Sequence, residues 1–504
     1  MKIILKLALL LVGNFVHAQS VTDAFLFTQE DLNGTARYTG MAGAFGALGG
    51  DLSAIADNPA AASVFAFSEM GISSFFTSNE TTASYFSTQT QNNFNQLRLH
   101  QFGMVFTLKN TDTNSDWSKI AFAFNSKRVA DFSNKSNAYG TNPNKSLGDY
   151  FTHYADGLPL NNIEVFEDET IPDIYEYLGN EFGYAAQQAF LGYQAYVINP
   201  ISDTENNTKY QSNLAPGSVL HDWVYRQQGH HQKYNFTFST QYRSLLNLGV
   251  SLNSHQYEYE QHDALTEVSN EPSSVLQQTH FKNQLNTEGS GISVQVGLIA
   301  KVSNAIRLGL SYDSPLYLRF EEEGSQYLET EGFLNNERIT TIVNPEVINR
   351  FPQYRMQLPS KLTASIAFVF QKRGLMSMSY SYRDISNTQF DTDSQASYLG
   401  GLNATLQQQL DAQSVLRIGT EWRTGRFLWQ AGFYNADSGL RNVNKKNHAY
   451  TTGVQFDLGG NLIGASWVFN RQYTERVLYP AGLTSKVGLE KNSNQLFFTY
   501  LFKL

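Results

Sequence analysis

The chain has no cysteine, only 12 prolines in 504 residues, and a charged share (Asp, Glu, Lys, Arg) of 16%. The lack of cysteine excludes disulfides, thiolate nucleophiles and cysteine-bound zinc together. No apolar run reaches the ~20 residues that a membrane-crossing helix needs, and the mean hydropathy is -0.35. A bundle of membrane helices is therefore excluded. The net charge of -9 argues against nucleic acid as a partner. Yet charged residues usually make up ~25% of a soluble domain, and here aromatics alone reach 13%. Little charge and many rings are foreign to an ordinary soluble protein.

The start of the chain explains part of this. Lys2 and Lys6 lead into the apolar run Leu7 to Val12, and Val16-His17-Ala18 precedes Gln19. A basic n-region, a short apolar core and a small-residue cleavage site read as a secretory signal. The reading is a signal peptide over 1–18, cleaved after Ala18, so the mature chain leaves the cytoplasm.

From about residue 67 the periodicity is two. In "YNFTFSTQY", Tyr234, Phe236, Phe238 and Tyr242 alternate with Asn235, Thr237, Ser239 and Gln241. "LMSMSYSYR" and "YTTGVQFDL" behave alike, with Met376, Met378, Tyr380 and Tyr382, then Val454, Phe456 and Leu458, on one face. Such alternation predicts strands with one apolar and one polar face. Short turns are expected near 109–116, 243–245, 303–305, 371–373, 424–426 and 458–461. Long connections are expected near 88–96, 128–231, 260–286, 322–357, 384–413, 436–447 and 472–493. Short turns at one end and long loops at the other are the pattern of an outer-membrane barrel. With 67–87 as one long first strand, about fourteen strands result. A secreted β-sandwich would alternate similarly, but the short–long rule and the aromatics near strand ends favour the barrel.

The connection 128–231 differs in kind. Within 171–198, Ile174, Tyr177, Leu178, Phe182, Ala185, Ala189 and Phe190 are near helical spacing, which predicts one or two helices on an extracellular insertion. Their apolar face is expected at the barrel mouth, on neighbouring loops, or merely capping its own loop.

Between the signal and the first strand lies "GMAGAFGALGGDLSAIADNPAAASVF", residues 40–65. Gly43, Gly46, Gly49 and Gly50 do not form the G-x-G-x-x-G of a dinucleotide loop. No buried strand precedes them, no βαβ unit follows, and the Gly-Lys-Ser/Thr of a P-loop is missing. Phe25, Leu26, Phe27, Phe45, Leu48, Leu52 and Ile55 are too apolar for a solvated tail. Small residues permit close backbone approach, as in a segment folded inside a lumen.

This stretch, "TARYTGMAGAFGALGGDLSAIADNPAAASVF" with Asn58-Pro59-Ala60 just before strand one, resembles the amino terminus of the FadL/TodX family of outer-membrane transporters. Residue likeness is strong only over about 35–65. The resemblance implies an all-β fold: a fourteen-stranded transmembrane barrel, 67–504, plugged by an amino-terminal hatch, 19–66. It also implies passive, hatch-gated uptake of small hydrophobic compounds such as long-chain fatty acids. An apolar loop patch would capture the ligand, a lumen pocket would bind it, and it would leave past the hatch, sideways through a wall gap in one version. Gly43, Gly46, Gly49, Asn58, Pro59 and Ala60 are then the hatch and gating residues. The sequence departs from the family at Ala61, where glycine is usual, at its last residue, Leu504, and in the length of the insertion.

Other constellations carry less. His230-His231 lacks further metal ligands at suitable spacing and reads as a solvated loop entering a strand. Glu164 with Glu167-Asp168-Glu169 lacks the spacing of a calcium loop and reads as a solvated charge run. No nucleophile elbow or zinc-protease motif is present, so no enzyme activity and no cofactor are expected. By alternation, Arg307, Arg383, Arg417, Glu421, Arg423 and Asp457 point into the lumen. Most such charges fill an interior with paired groups. Arg383 and Arg417, toward the long-loop side, are the candidates for a bidentate grip on a ligand carboxylate. The partners expected are a hydrophobic small molecule, outer-membrane lipid and lipopolysaccharide, with the chain a monomer. A surface receptor or adhesin, binding haem or a protein through its loops, is the alternative.

Overall fold

A computed structural model describes residues 21–504 apart from 113, 270, 335–336, 393–395, 442 and 444–445. The expected signal peptide and the first two hatch residues lie outside the described residues. Among the described residues, fourteen antiparallel strands close into a barrel. They are β1 (Glu69–Tyr85), β2 (Thr88–Lys109), β3 (Trp117–Asp131, continuing after a break as Asn134–Asn142), β4 (Val219–Tyr242), β5 (Leu246–Ser269) and β6 (Leu276–Lys301). Then come β7 (Ile306–Asp313 and Leu316–Leu334), β8 (Asn349–Leu358 and Lys361–Phe370), β9 (Gly374–Asp384) and β10 (Ala412–Thr424). The last four are β11 (Phe427–Ala436), β12 (Asn447–Asp457), β13 (Asn461–Val477) and β14 (Lys486–Lys503). β14 pairs back onto β1, from Lys503↔Glu69 to Gly488↔Ser84, and this closes the ring.

The alternation is inside out. Asn235 is fully buried while its neighbour Phe236 is 56% exposed. Asn253, Gln295 and Ser311 are likewise buried, and Leu252, Val294 and Leu310 face outward. A sandwich would bury the apolar set, so this polarity decides for a barrel with an apolar outer band. On β6 the outward residues Ile292, Val294 and Val296 are apolar, and above them Ser290, Glu288 and Asn286 are polar and exposed. The band is short, matching the ~9–11 residues that a tilted strand needs to cross a bilayer.

The strands are taller than the sequence suggested. The segment 88–96, expected as a loop, belongs to β2, and only Phe86 and Ser87 separate it from β1. β4, β5 and β6 are 24, 24 and 26 residues long, so most of 260–286 is strand as well. The helical excursion runs over 143–218 rather than 128–231, because its flanks are ladder residues of β3 and β4. The wall is much lower on the side of β9 to β12.

Three helices fill the top of the tall side: α4 (Leu147–Ala155), α5 (Ile171–Glu181) and α6 (Tyr184–Gln194). Here α1 (Val21–Thr28), α2 (Ala36–Gly40) and α3 (Leu52–Ile55) precede the barrel. The periodic stretch 171–198 breaks into two helices at Gly183, whose φ of +80° suits glycine. Ser146 and Asp149 form a capping box that starts α4. Phe151, Phe190 and Leu191 pack with inward-facing Trp223, Phe281 and Leu328 in one core. The excursion is therefore a packed cap, not a free loop. A last helix, α7 (Ala396–Gln409), covers the low side with Leu399 and Leu406 buried.

Candidate functional site

The amino-terminal segment touches all fourteen strands, and so lies inside the ring. Thr35 caps α2 by accepting from the Tyr38 amide (3.1 Å), and Asp51 caps α3 by accepting from the Ser53 amide (2.8 Å). The Thr35 hydroxyl donates to Asp51 (2.7 Å), which ties the two short helices together. The wall then receives the segment side by side. The Ala36 amide donates to Thr499 (2.7 Å), Thr451 to the Gly40 carbonyl (2.8 Å), and Ser53 to Gln101 (2.7 Å). Arg37 forms a fork with Glu421 on β10, at 2.7 and 2.8 Å.

The motif residues sit at the tightest part of this seam. Asn58 is extended, with φ -145° and ψ 108°, and caps the 3-10 turn Pro59–Val64. Its Oδ1 accepts from the Ala60 amide (3.1 Å), while Nδ2 donates to the carbonyls of Gly46 (2.8 Å) and Leu298 (3.2 Å). One side chain thus joins the turn, the glycine run and wall strand β6. Pro59 and Ala60 lie against Gly249 of β5, where an added Cβ would come within 2.3 Å of the Pro59 carbonyl carbon. Gly46 faces β8, and a Cβ there would sit 2.2 Å from the Ser365 hydroxyl. Gly43 (φ +73°) and Gly49 (φ +64°) are in the left-handed region.

The wall carries matching glycines that the sequence reading passed over. A Cβ on Gly297 would lie 2.0 Å from Asn58 Oδ1, and one on Gly309 would lie 2.2 Å from the Gly46 carbonyl oxygen. The signal was available: a glycine on the inward register in mid-strand marks a close backbone approach.

Above the seam the lumen is charged. Glu30 pairs with Lys361 (2.8 Å) and Arg383 (3.0 Å). Asp57 pairs with Arg417 (3.7 Å) and Lys127 (3.9 Å), and accepts from the Tyr38 hydroxyl. These groups line one cavity of about 50 Å³. Burial would raise the Glu30 carboxyl, but Lys361, Arg383 and Arg417 hold it well below the usual range. Asp57 is lowered in the same way by Lys127 and Arg417 against its own burial. Both candidate arginines therefore meet in one chamber, each engaged by a carboxylate of the amino-terminal segment. The other inward charges pair too: Glu421 with Arg37, Arg423 with Asp457 (3.0 Å), and Arg307 with the Leu48 carbonyl (3.2 Å).

Over the charged chamber lies an aromatic box. Phe27 of α1 stacks on Phe320 at 4.8 Å and meets Phe132, Tyr257 and Tyr259 edge-on at 5.6–6.0 Å. The histidine pair is a correction: both residues lie within β4, and His231 is buried, hydrogen-bonded to His255 (2.8 Å). No group of His, Asp or Glu among the described residues is placed to hold a metal. In the acidic run Glu167, Asp168 and Glu169 are exposed and Glu164 is half-buried, with Glu169 accepting from the Phe166 amide (3.0 Å).

A closed barrel with an apolar outer band, filled by its own amino-terminal chain, defines the class of plugged β-barrels. More particularly, the fold is that of the FadL/TodX-type transporters of hydrophobic compounds. The chain is similar to the Pseudomonas putida toluene transporter TodX, at 13% identity and a TM-score of 0.51, over 94% of this chain and 99% of that one. It is also similar to a Pseudomonas aeruginosa FadL homologue, at 9% identity and a TM-score of 0.53, over the same shares of each chain. No model of a known family and no curated protein sequence matches. Identity this low makes the likeness one of fold.

Proposed function

We propose that the chain is an outer-membrane channel through which small hydrophobic compounds, such as long-chain fatty acids, diffuse passively past a movable amino-terminal hatch. The observation that carries this is the filled lumen. The segment meets every strand through side-chain hydrogen bonds, ion pairs and close glycine contacts but is not a strand of the ring, so its movement would open a path without dismantling the barrel. The outward apolar band supports a place in the outer membrane, and the structural likeness to a toluene transporter and a FadL homologue supports transport rather than catalysis. A lipopolysaccharide leaflet resists apolar solutes, so a protein route has a purpose.

Gly43, Gly46 and Gly49, with Asn58, Pro59 and Ala60, would form the hinge and seat of the hatch. When it moves, Glu30 and Asp57 would leave Arg383 and Arg417 free to meet a ligand carboxylate. A sideways exit has support in the wall, since β2–β3 pairing stops at Gln101↔Lys127 and β2 runs on to Thr88 paired with β1. The test is uptake of radiolabelled toluene and oleate by cells with and without the protein. Uptake above the empty-vector level supports the reading, and equal uptake for both compounds rejects it.

A further inference from the structure

Above the apolar band, the outer face of β5 to β7 carries two rows of side chains set by the strand register. His262, Gln284 and Ser325 stand side by side in one row, and Ala264, Lys282 and Tyr327 in the next. Beyond β7 the wall is irregular. Its pairing with the returning chain passes from Gly324↔Asn349 to Leu328↔Val343, so three residues of β7, 325–327, face five, 344–348. Such a bulge takes its extra residues out of the ladder and re-aims their side chains. Within it Glu346 holds a φ of +54°, a left-handed conformation uncommon for a residue with a side chain and one that collects at functional sites.

Between the bulge and the two rows lies a groove of about 400 Å³, within the range of small-molecule sites. The inward neighbours are buried and engaged: Asp263 accepts from the Trp223 indole (2.8 Å), and Gln326 accepts from Tyr175 (2.8 Å) and Gln188 (2.6 Å). The groove therefore opens to the outside of the wall. It exists because Ala264 and Ser325 are short and their neighbours in the rows are long. Its groups are chemically mixed. Glu346 accepts from the Asn344 amide at 3.4 Å, the Lys282 ammonium stands 4.6 Å from the centre of the Tyr327 ring, and Ile348 is 64% exposed.

We infer that this groove is a saccharide-binding site for neutral sugar units. The side-chain amides of Gln284 and Asn344 each carry a donor and an acceptor side by side. That matches adjacent sugar hydroxyls, which both donate and accept. Lys282 and Glu346 bring opposite charges to the same groove, so neither a small anion nor a cation is selected. Ile348 and the Tyr327 ring offer apolar surface to the C–H face of a sugar ring. A hydrophobic solute would displace water from these polar groups and return no hydrogen bonds. The site lies on the outer wall, apart from the lumen, and goes beyond the transport reading. With the barrel in an outer membrane, this height of wall stands among the sugars of lipopolysaccharide. Two sources thus share the chemistry: core sugars of neighbouring lipopolysaccharide, and free oligosaccharide outside the cell.

Calorimetry and saturation-transfer NMR on the purified full-length barrel in detergent test this. The probes are delipidated core oligosaccharide of lipopolysaccharide and isomaltohexaose. Binding of at least one is expected, and the tighter of the two names the source. Ala264→Trp fills the groove and should abolish binding. Gln284→Ala with Asn344→Ala should weaken it about tenfold, the loss expected for one or two hydrogen bonds. Lys372→Trp, in the exposed turn at the opposite end, should bind like the unmodified protein. An unmodified barrel that binds neither probe overturns the site, and so does undiminished binding by a folded Ala264→Trp. If Ala264→Trp does not assemble, undiminished binding by the amide double variant overturns it instead. Toluene uptake should be the same in the amide double variant and the unmodified protein, so failure of the saccharide site and failure of the transport reading are read separately.

Discussion

Arg37 and Glu421, 384 positions apart in the chain, meet in a two-pronged ion pair whose carboxylate is 5% exposed. It joins the amino-terminal segment to the barrel wall, and nothing local in the sequence announces it. Removing one partner of a buried pair strands the other charge, at a cost of about 3–5 kcal/mol. Arg37→Met should therefore loosen the segment, raising dye leakage and protease cleavage near residue 37, in a barrel that still runs as a heat-modifiable species. Arg37→Met with Glu421→Leu should recover part of the loss. Failure of the double variant to improve on the single one would show that the pair does not latch the segment.

Asn58 is the second latch. Asn58→Ala leaves the buried Gly46 carbonyl without its donor, at a cost of about 1–3 kcal/mol, and removes the tie to the Leu298 carbonyl of the wall. Gly297→Ala attacks the same contact from the wall, since its Cβ would overlap Asn58 Oδ1. Both variants should assemble and both should leak small dyes. If Asn58→Ala matches the unmodified protein in folding, dye exclusion and uptake, the motif is a plain turn and not a hinge.

Much of this was legible in the sequence. The strand count followed from period-two alternation and from the short turns, because a two-faced wall imposes them. The buried motif was legible because packing against a wall demands small residues. What the sequence reading missed has one physical cause. On β5 the inward set changes from Ser251 and Asn253 to Tyr257 and Tyr259, while the outward set changes from Val250 and Leu252 to Glu258 and Glu260. The register stays the same and the polarity inverts, because above the apolar band the strand faces water outside and a protein core inside. Read as a loss of strand character, that inversion turned tall strands into long loops. The partners of Arg383 and Arg417 were beyond reach, because Glu30 and Asp57 meet them only through the closed ring.

The charged chamber predicts a one-sided pH response. The folded-state values of Glu30 and Asp57 lie below their ordinary ones. Their pairing thus contributes fully above the unfolded values, near about 4, and is lost as pH falls through the lowered folded values. Dye leakage should be flat from neutral pH down to about 4 and rise only below that. Glu30→Gln should leak more at neutral pH and respond less to acid. A leak that begins near pH 6 would point to other groups.

Orientation is testable by tagging. Residues 203–207 lie on the cap between its two short strands, Ile198–Pro200 and Tyr210–Ser212, and 371–373 form the turn between β8 and β9 at the opposite end. An epitope at 203–207 should be reachable on intact cells and one at 372–374 should not. Reversed labelling would overturn the orientation.

The central claim is that ligand passes only when the amino-terminal segment moves, and a reversible lock tests it most directly. A Cβ on Gly46 would stand 3.0 Å from that of Ser365, a shift of under about 1 Å from the usual disulfide spacing. Gly46→Cys with Ser365→Cys, in a chain free of other cysteines, would tie segment to wall under oxidation and release it under reduction. Toluene uptake should vanish in the oxidised protein and return on reduction, with the barrel intact in both states. Uptake that is unchanged by a fully formed disulfide at this position would contradict the account.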